Sequence, residues 1–99
     1  MASSNTDPVI QSHRAQIAEI DGEILRALNQ RINLVKRLKD YKDSQRFTFY
    51  DPAQECLVIA NLCQANGGPL SNEGIHEIFG VILERLKSEA AGLGEDKSE

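Results

Sequence analysis

The chain has little cysteine or histidine, no long apolar run, no strand-like alternation of useful length, and fewer cations than anions. Its two cysteines, Cys56 and Cys63, lie seven apart in a stretch of helical pattern. That is about 10 Å of rise, beyond disulfide reach, so both are expected as buried free thiols. His13 and His76 are the remaining soft ligands, and with no paired short spacing a zinc site would need four distant residues to converge. Neither a metal nor a disulfide framework is therefore expected. The absence of a membrane-length apolar run and of a signal-type start, together with free thiols, makes the cytoplasm the expected location. Lys+Arg 11 against Asp+Glu 15, a net charge of −4, argues against nucleic acid as a partner.

Ninety-nine residues that are 40% hydrophobic suffice for one modest core, near the size at which a second copy often helps. The richest pattern is an apolar seam from Ile10 to Lys42. Ile10, Ile17, Ile24 and Leu38 recur every seven residues with Arg31 in the same series, and Leu28 and Val35 share a second series with Arg14, Asp21 and Lys42. Such a stripe is helical. Cations on it want either an anion or an escape to water along their own stems. Arg31 and Lys42, eleven residues apart, are nearly in line on a helix at roughly 16 Å of rise, with Leu38 between them, a spacing that lets two long side chains grip one small dianion. Arg14 lies about 25 Å from Arg31 along the same helix, so it would serve such a ligand only in a second copy. Lys36, Arg37 and Lys39 read as a solvated face.

Met1 to Pro8 is small and polar, and Gly92 to Glu99 is rich in glycine and charge, so residues 1–8 and 92–99 are expected as disordered tails around a helical domain at 9–91. Within it the pattern predicts a long helix from Val9 to Tyr41 or Lys42, a loop from Asp43 to Tyr50, a second helix from Pro52 to about Ala65 and a third from about Asn72 to Ala90. Asp51-Pro52 is a helix start, with a capping carboxylate and a proline suited to the first turn. Asn66-Gly67-Gly68-Pro69 is a stop, and Ser71 or Asn72 can cap the third helix. A 33-residue helix is roughly 50 Å long, whereas a compact chain of this size has a radius of gyration of about 13 Å. Gly22 is the interior candidate for a break, but one glycine costs about 1 kcal/mol and does not end a helix. The expected fold is all-α, three helices per protomer with a long first helix, in an intertwined homodimer.

Read in order, His13-Arg14, Ile20-Asp21-Gly22-Glu23-Ile24-Leu25, Leu28, Arg31, Lys42 and Tyr50-Asp51-Pro52-Ala53-Gln54-Glu55 resemble the all-helical chorismate mutases of the AroQ type. The resemblance spans nearly all of Ile10 to Ala90. Asn66-Gly67-Gly68-Pro69 before Ile78-Phe79 is also similar to members fused to the first enzyme of aromatic amino-acid synthesis. What the resemblance implies is cofactor-free rearrangement of chorismate to prephenate at two sites shared across a homodimer. By the match, Arg31 and the partner protomer's copy of Arg14 would engage the substrate carboxylates, and Lys42 a carboxylate and the ether oxygen. Asp51 and Glu55 would line the ring-hydroxyl side, and Leu38 and Leu83 would wall the ring. Asp51 is also an N-cap and Glu55 also a first-turn carboxylate, placements that a helix favours without any ligand.

Two departures bear on rate. Gln54 stands where the family's Asp-Pro motif continues to arginine. Ala90 stands where the last helix brings Gln or Glu to the ether oxygen, with Leu86 at an often small, polar position. Glu89 is one residue early, about 100° around the helix, and would reach inward, as would Ser88, only through a local shift or at a helix end. Loss of a donor to developing charge typically costs about 3 to 4 kcal/mol of barrier, so a slow enzyme is expected. The competing readings are a non-catalytic chorismate binder or regulatory subunit for a shikimate-pathway partner enzyme, isochorismate pyruvate lyase chemistry, and a helical nucleic-acid binder using Lys36, Arg37 and Lys39.

Overall fold

A computed structural model describes residues 4–93, and in these the regular elements are helical. Of the two expected tails, residues 1–3 and 94–99 lie outside the described residues. A short 3-10 turn, Ser4–Thr6, leads into α1 (Pro8–Ser44), followed by α2 (Pro52–Ala65) and α3 (Asn72–Gly92). α1 starts on the same device as α2. Asp7 Oδ1 accepts from the amides of Val9 (2.8 Å) and Ile10 (3.2 Å), with Pro8 at the first helical position. The expected start at Val9 is thus one residue late, and Asp7-Pro8 is the signal that marks it. Gly22 lies inside the unbroken helix.

The end of α1 lies two residues beyond Lys42. Phe47 N–H bonds to Lys42 C=O (2.8 Å) and Arg46 N–H to Asp43 C=O (3.1 Å), the paired bonds of a Schellman close. Arg46 takes the left-handed conformation this requires, φ 63°, a place glycine would fill without strain. The close satisfies orphan carbonyls and turns the chain sharply into the connection to α2.

At α2, Asp51 is the N-cap, its side chain accepting from Gln54 N (3.2 Å), so the capping role read from the sequence holds. Asn66 closes the helix and ties the next turn, accepting from Gly68 N (2.9 Å) and donating to Leu70 C=O (2.6 Å). Gly68, at φ +80°, is where glycine's freedom is needed. Ser71 then caps α3 through Gly74 N (2.9 Å).

The chain divides into two compact units, Met1–Arg31 and Ile32–Glu99. In the second unit α2 and α3 pack together. They run antiparallel, since the Asn66 to Leu70 turn joins one pair of ends and a Glu55–Lys87 contact joins the other. Ile75, Leu83, Leu86 and Ala90 are its buried residues, spaced at the 3.6-residue period. In the first unit the apolar stripe of α1 is uncovered, with Ile17, Ile20, Ile24 and Leu25 each more than half exposed. Both thiols are free, as expected, but Cys56 is exposed and Cys63 only half-buried. Which residues of α2 are covered is not specified by the sequence of one short apolar helix. No helix among the described residues is long and apolar enough to cross a membrane.

Candidate functional site

Along α1 the cations sort into paired and unpaired. Lys36 bonds Asp40 (2.6 Å) and Lys39 bonds Asp43 (3.0 Å), each one turn away on the same helix, and both lysines are half-buried, not fully solvated as expected. Arg31 and Lys42 are half-buried. Among the described residues neither forms an ion pair. Lys42 instead lies over the Phe49 ring, 5.9 Å from its centroid, held by the face of an aromatic from the connecting loop. That leaves its ammonium protons available. Arg14, in the first unit, is exposed and donates from Nη1 to Asn5 Oδ1, so the N-terminal turn steadies it.

The first turn of α2 supplies the next group. Asp51 and Gln54 are exposed, whereas Glu55 points toward α3 and is half-buried. Its Oε2 accepts from Lys87 Nζ at 2.9 Å. The same ammonium lies 5.2 Å from the centroid of the Tyr50 ring and 3.8 Å from Glu84 Oε1. Neighbouring loop aromatics thus each seat a lysine, Phe49 one from α1 and Tyr50 one from α3.

The Lys87 pKa lies above its ordinary 10.5. The hydrogen bond to Glu55 is the largest cause, opposed by partial desolvation and reinforced by the charges of Glu55, Glu84 and Tyr50. A cation whose folded pKa is raised stabilises the fold fully below its unfolded pKa and loses that contribution as pH rises through the folded one. Lys87→Met should therefore lower stability by about 1 kcal/mol or less at neutral pH. That gap should stay flat until about pH 10 and close above it, as read by urea midpoints across pH.

Leu83, Leu86 and Ala90 form the inner stripe of α3 against α2, while Leu38 on α1 is 49% exposed. Ala90 is 1% exposed, and α3 stays helical to Gly92 with no shift near its end. Glu89 pairs with Arg85 (2.7 Å) and Ser88 lines an open groove, both exposed and off the buried face that holds Ala90. That groove, along Glu77, Gly80, Val81, Glu84, Arg85 and Ser88, contains none of the residues read as a site. A glutamine at position 90 would bury its amide in the hairpin. Ala90→Gln is accordingly expected to cost about 1 to 3 kcal/mol in the ligand-free protein, measurable as a lower urea midpoint.

Sequence reasoning named Arg14, Arg31, Lys42, Asp51 and Glu55 but not Lys87, nor the lysine contacts of Phe49 and Tyr50. Lys87 follows Leu86 at the margin of the apolar stripe, a position that reads equally as surface. Its partner is 32 residues away.

Comparison with known proteins places this geometry. The family model described as chorismate mutase type II matches residues 13–96, which include Arg14, Arg31, Lys42, Asp51, Glu55 and Lys87. A bifunctional chorismate mutase/prephenate dehydratase from Neisseria gonorrhoeae is 31% identical over 81 residues, 82% of this chain. The chain spans 22% of that relative's length. Two solved structures of chorismate mutase from Thermus thermophilus are similar over most of this chain. Form I has a TM-score of 0.76 at 31% identity, covering 78% of this chain and 96% of that one. Form II has a TM-score of 0.80 at 28% identity, covering 87% and 98%. With three α-helices among its described residues, a capped Asp-Pro start and the family match across most of its length, the chain belongs to the chorismate mutase type II family.

Proposed function

We propose that this chain rearranges chorismate to prephenate, without a cofactor, at sites shared between two copies. The observation that carries this reading is the pair of half-buried cations, Arg31 and Lys42, that lack an anionic partner among the described residues of a helix whose other lysines nearby are paired. A half-buried cation costs desolvation that an anionic ligand offsets. Chorismate is a dianion, and in its rearrangement the ether C–O bond breaks as a C–C bond forms within one molecule. No nucleophile or proton acceptor is required. Catalysis then consists of holding the folded conformer and stabilising negative charge at the ether oxygen.

In this reading Arg31 and Arg14 of the partner subunit bind the two carboxylates, and Lys42 serves a carboxylate and the ether oxygen. Asp51 and Glu55 face the ring hydroxyl, with Gln54 beside them as a neutral neighbour. Leu38, Leu83 and Leu86 are apolar wall, and Ala90 offers no donor. A second copy is supported by the uncovered stripe of α1, whose 37 residues rise about 55 Å. Sedimentation at micromolar concentration is expected to give twice the chain mass; a compact monomer would remove the shared site. The free thiols go with a cytoplasmic setting.

The test is direct: purified protein is mixed with chorismate and the product identified. Prephenate without pyruvate is the expected result, with slow turnover because position 90 supplies no donor. Pyruvate would point to lyase chemistry. Tight binding without turnover would make the chain a chorismate-binding or regulatory subunit for a partner enzyme of the shikimate pathway.

A further inference from the structure

Among the described residues the hairpin contains one long-range ion pair, and it falls on a residue of the proposed site. Glu55 belongs to the first turn of α2 and Lys87 to the last third of α3. Their side chains are 35% and 24% exposed and meet at 2.9 Å. Lys87 has three neighbours of negative or π character: Glu55 from α2, Glu84 from its own helix and Tyr50 from the loop. They are unequal. Glu84 is 3.8 Å away and largely exposed, so it competes weakly for the ammonium. The ammonium lies over the Tyr50 ring on one side, and the Glu55 carboxylate accepts its hydrogen bond.

A glutamate on a helix surface samples many rotamers, and ordering it on ligand binding opposes affinity. Lys87 removes most of that freedom beforehand. The bond engages Oε2 alone among the described residues, leaving Oε1 with unshared lone pairs for a hydroxyl donor. We propose that Lys87 is a positioning residue: from α3, and braced by Tyr50, it holds one oxygen of Glu55 so that the other is presented to the substrate's ring hydroxyl. This rests on the functional reading above, and it adds a cation beside the turn in which Gln54 is neutral. Because the hydroxyl contact is made alike in ground and transition states, the effect falls on binding more than on the chemical step.

Steady-state kinetics on chorismate with the full chain test it. Lys87→Met is expected to raise KM about tenfold with kcat changed less than about threefold, and Lys87→Arg to restore KM to within about twofold of wild type. In a Glu55→Gln background, adding Lys87→Met should change KM by less than about twofold, because the residue acts through the carboxylate. Should Lys87→Met fail to fold, Lys87→Gln, which keeps a polar side chain and removes the charge, takes its place with the same expectations. An unchanged KM in a folded variant of an active protein overturns the positioning role and leaves the function standing, as does a full multiplicative effect in the Glu55→Gln background. A wild-type protein that binds and converts no chorismate overturns the function itself, and the positioning of a substrate with it.

Discussion

Replacing Arg31 or Lys42 with alanine is expected to lower kcat/KM for chorismate at least about a hundredfold, with Lys36→Ala changing it by less than about threefold. A hundredfold corresponds to about 2.7 kcal/mol of lost transition-state stabilisation, within the range for deleting one charged donor at a site of developing charge. The control is strict because Lys36 and Lys42 belong to the same helix and differ by six residues. Lys36 is committed to Asp40 at 2.6 Å, whereas Lys42 rests on the Phe49 ring and keeps its protons free. Fold stability should change by about 1 kcal/mol or less in any of the three, since Arg31 and Lys42 make no ion pair within the described residues and Lys36 loses a single i,i+4 pair. Stopped reactions analysed for prephenate, with urea midpoints alongside, separate the two effects. Equal damage from Lys36→Ala would show that the seam is phased wrongly and that the solvated face is the one that binds.

Mixing two crippled proteins should restore activity. Arg14→Ala and Arg31→Ala protomers are each expected to be nearly inactive, because every shared site takes one arginine from each copy. A heterodimer of the two has one intact site and one doubly damaged site, so it should run at about half the wild-type rate, and an equimolar co-refolded mixture at about a quarter after random pairing. The physical basis is the spacing: seventeen residues of continuous helix separate Arg14 from Arg31, about 25 Å, more than one small dianion can bridge. Native mass measurement establishes that exchange took place. Exchange without recovery would place both arginines in the same protomer's site or outside it.

Helix boundaries were legible in the residues wherever their cause was local. Asp51-Pro52 carries its own start signal, because a carboxylate two or three residues from free amides caps them whatever surrounds it. Asn66 to Pro69 carries its own stop, and Ser71 its own cap. The seven-residue recurrence along α1 likewise fixed which face is apolar and set Arg31 and Lys42 apart from Lys36 and Lys39, since helical neighbours are set by spacing alone. Even the start of α1, one residue earlier than the apolar pattern implies, had its signal in Asp7-Pro8.

What no local rule supplies is how α2 meets α3. The rotation of each helix about its axis decides that Cys56 faces out and that Ala90 is sealed at 1% exposure. The same rotation leaves Glu89 on the exposed side of α3, where it pairs with Arg85 of its own helix. It also brings Lys87 to Glu55 across 32 residues, a pairing that neither sequence neighbourhood encodes, because each charge alone is equally at home in water. Sequence by itself determined the helices, their caps and which cations of α1 share the apolar seam. Tertiary packing decided which side chains seal the hairpin and which charge orients the carboxylate, because contacts between distant segments follow from burying both apolar faces at once and not from either segment's own preference.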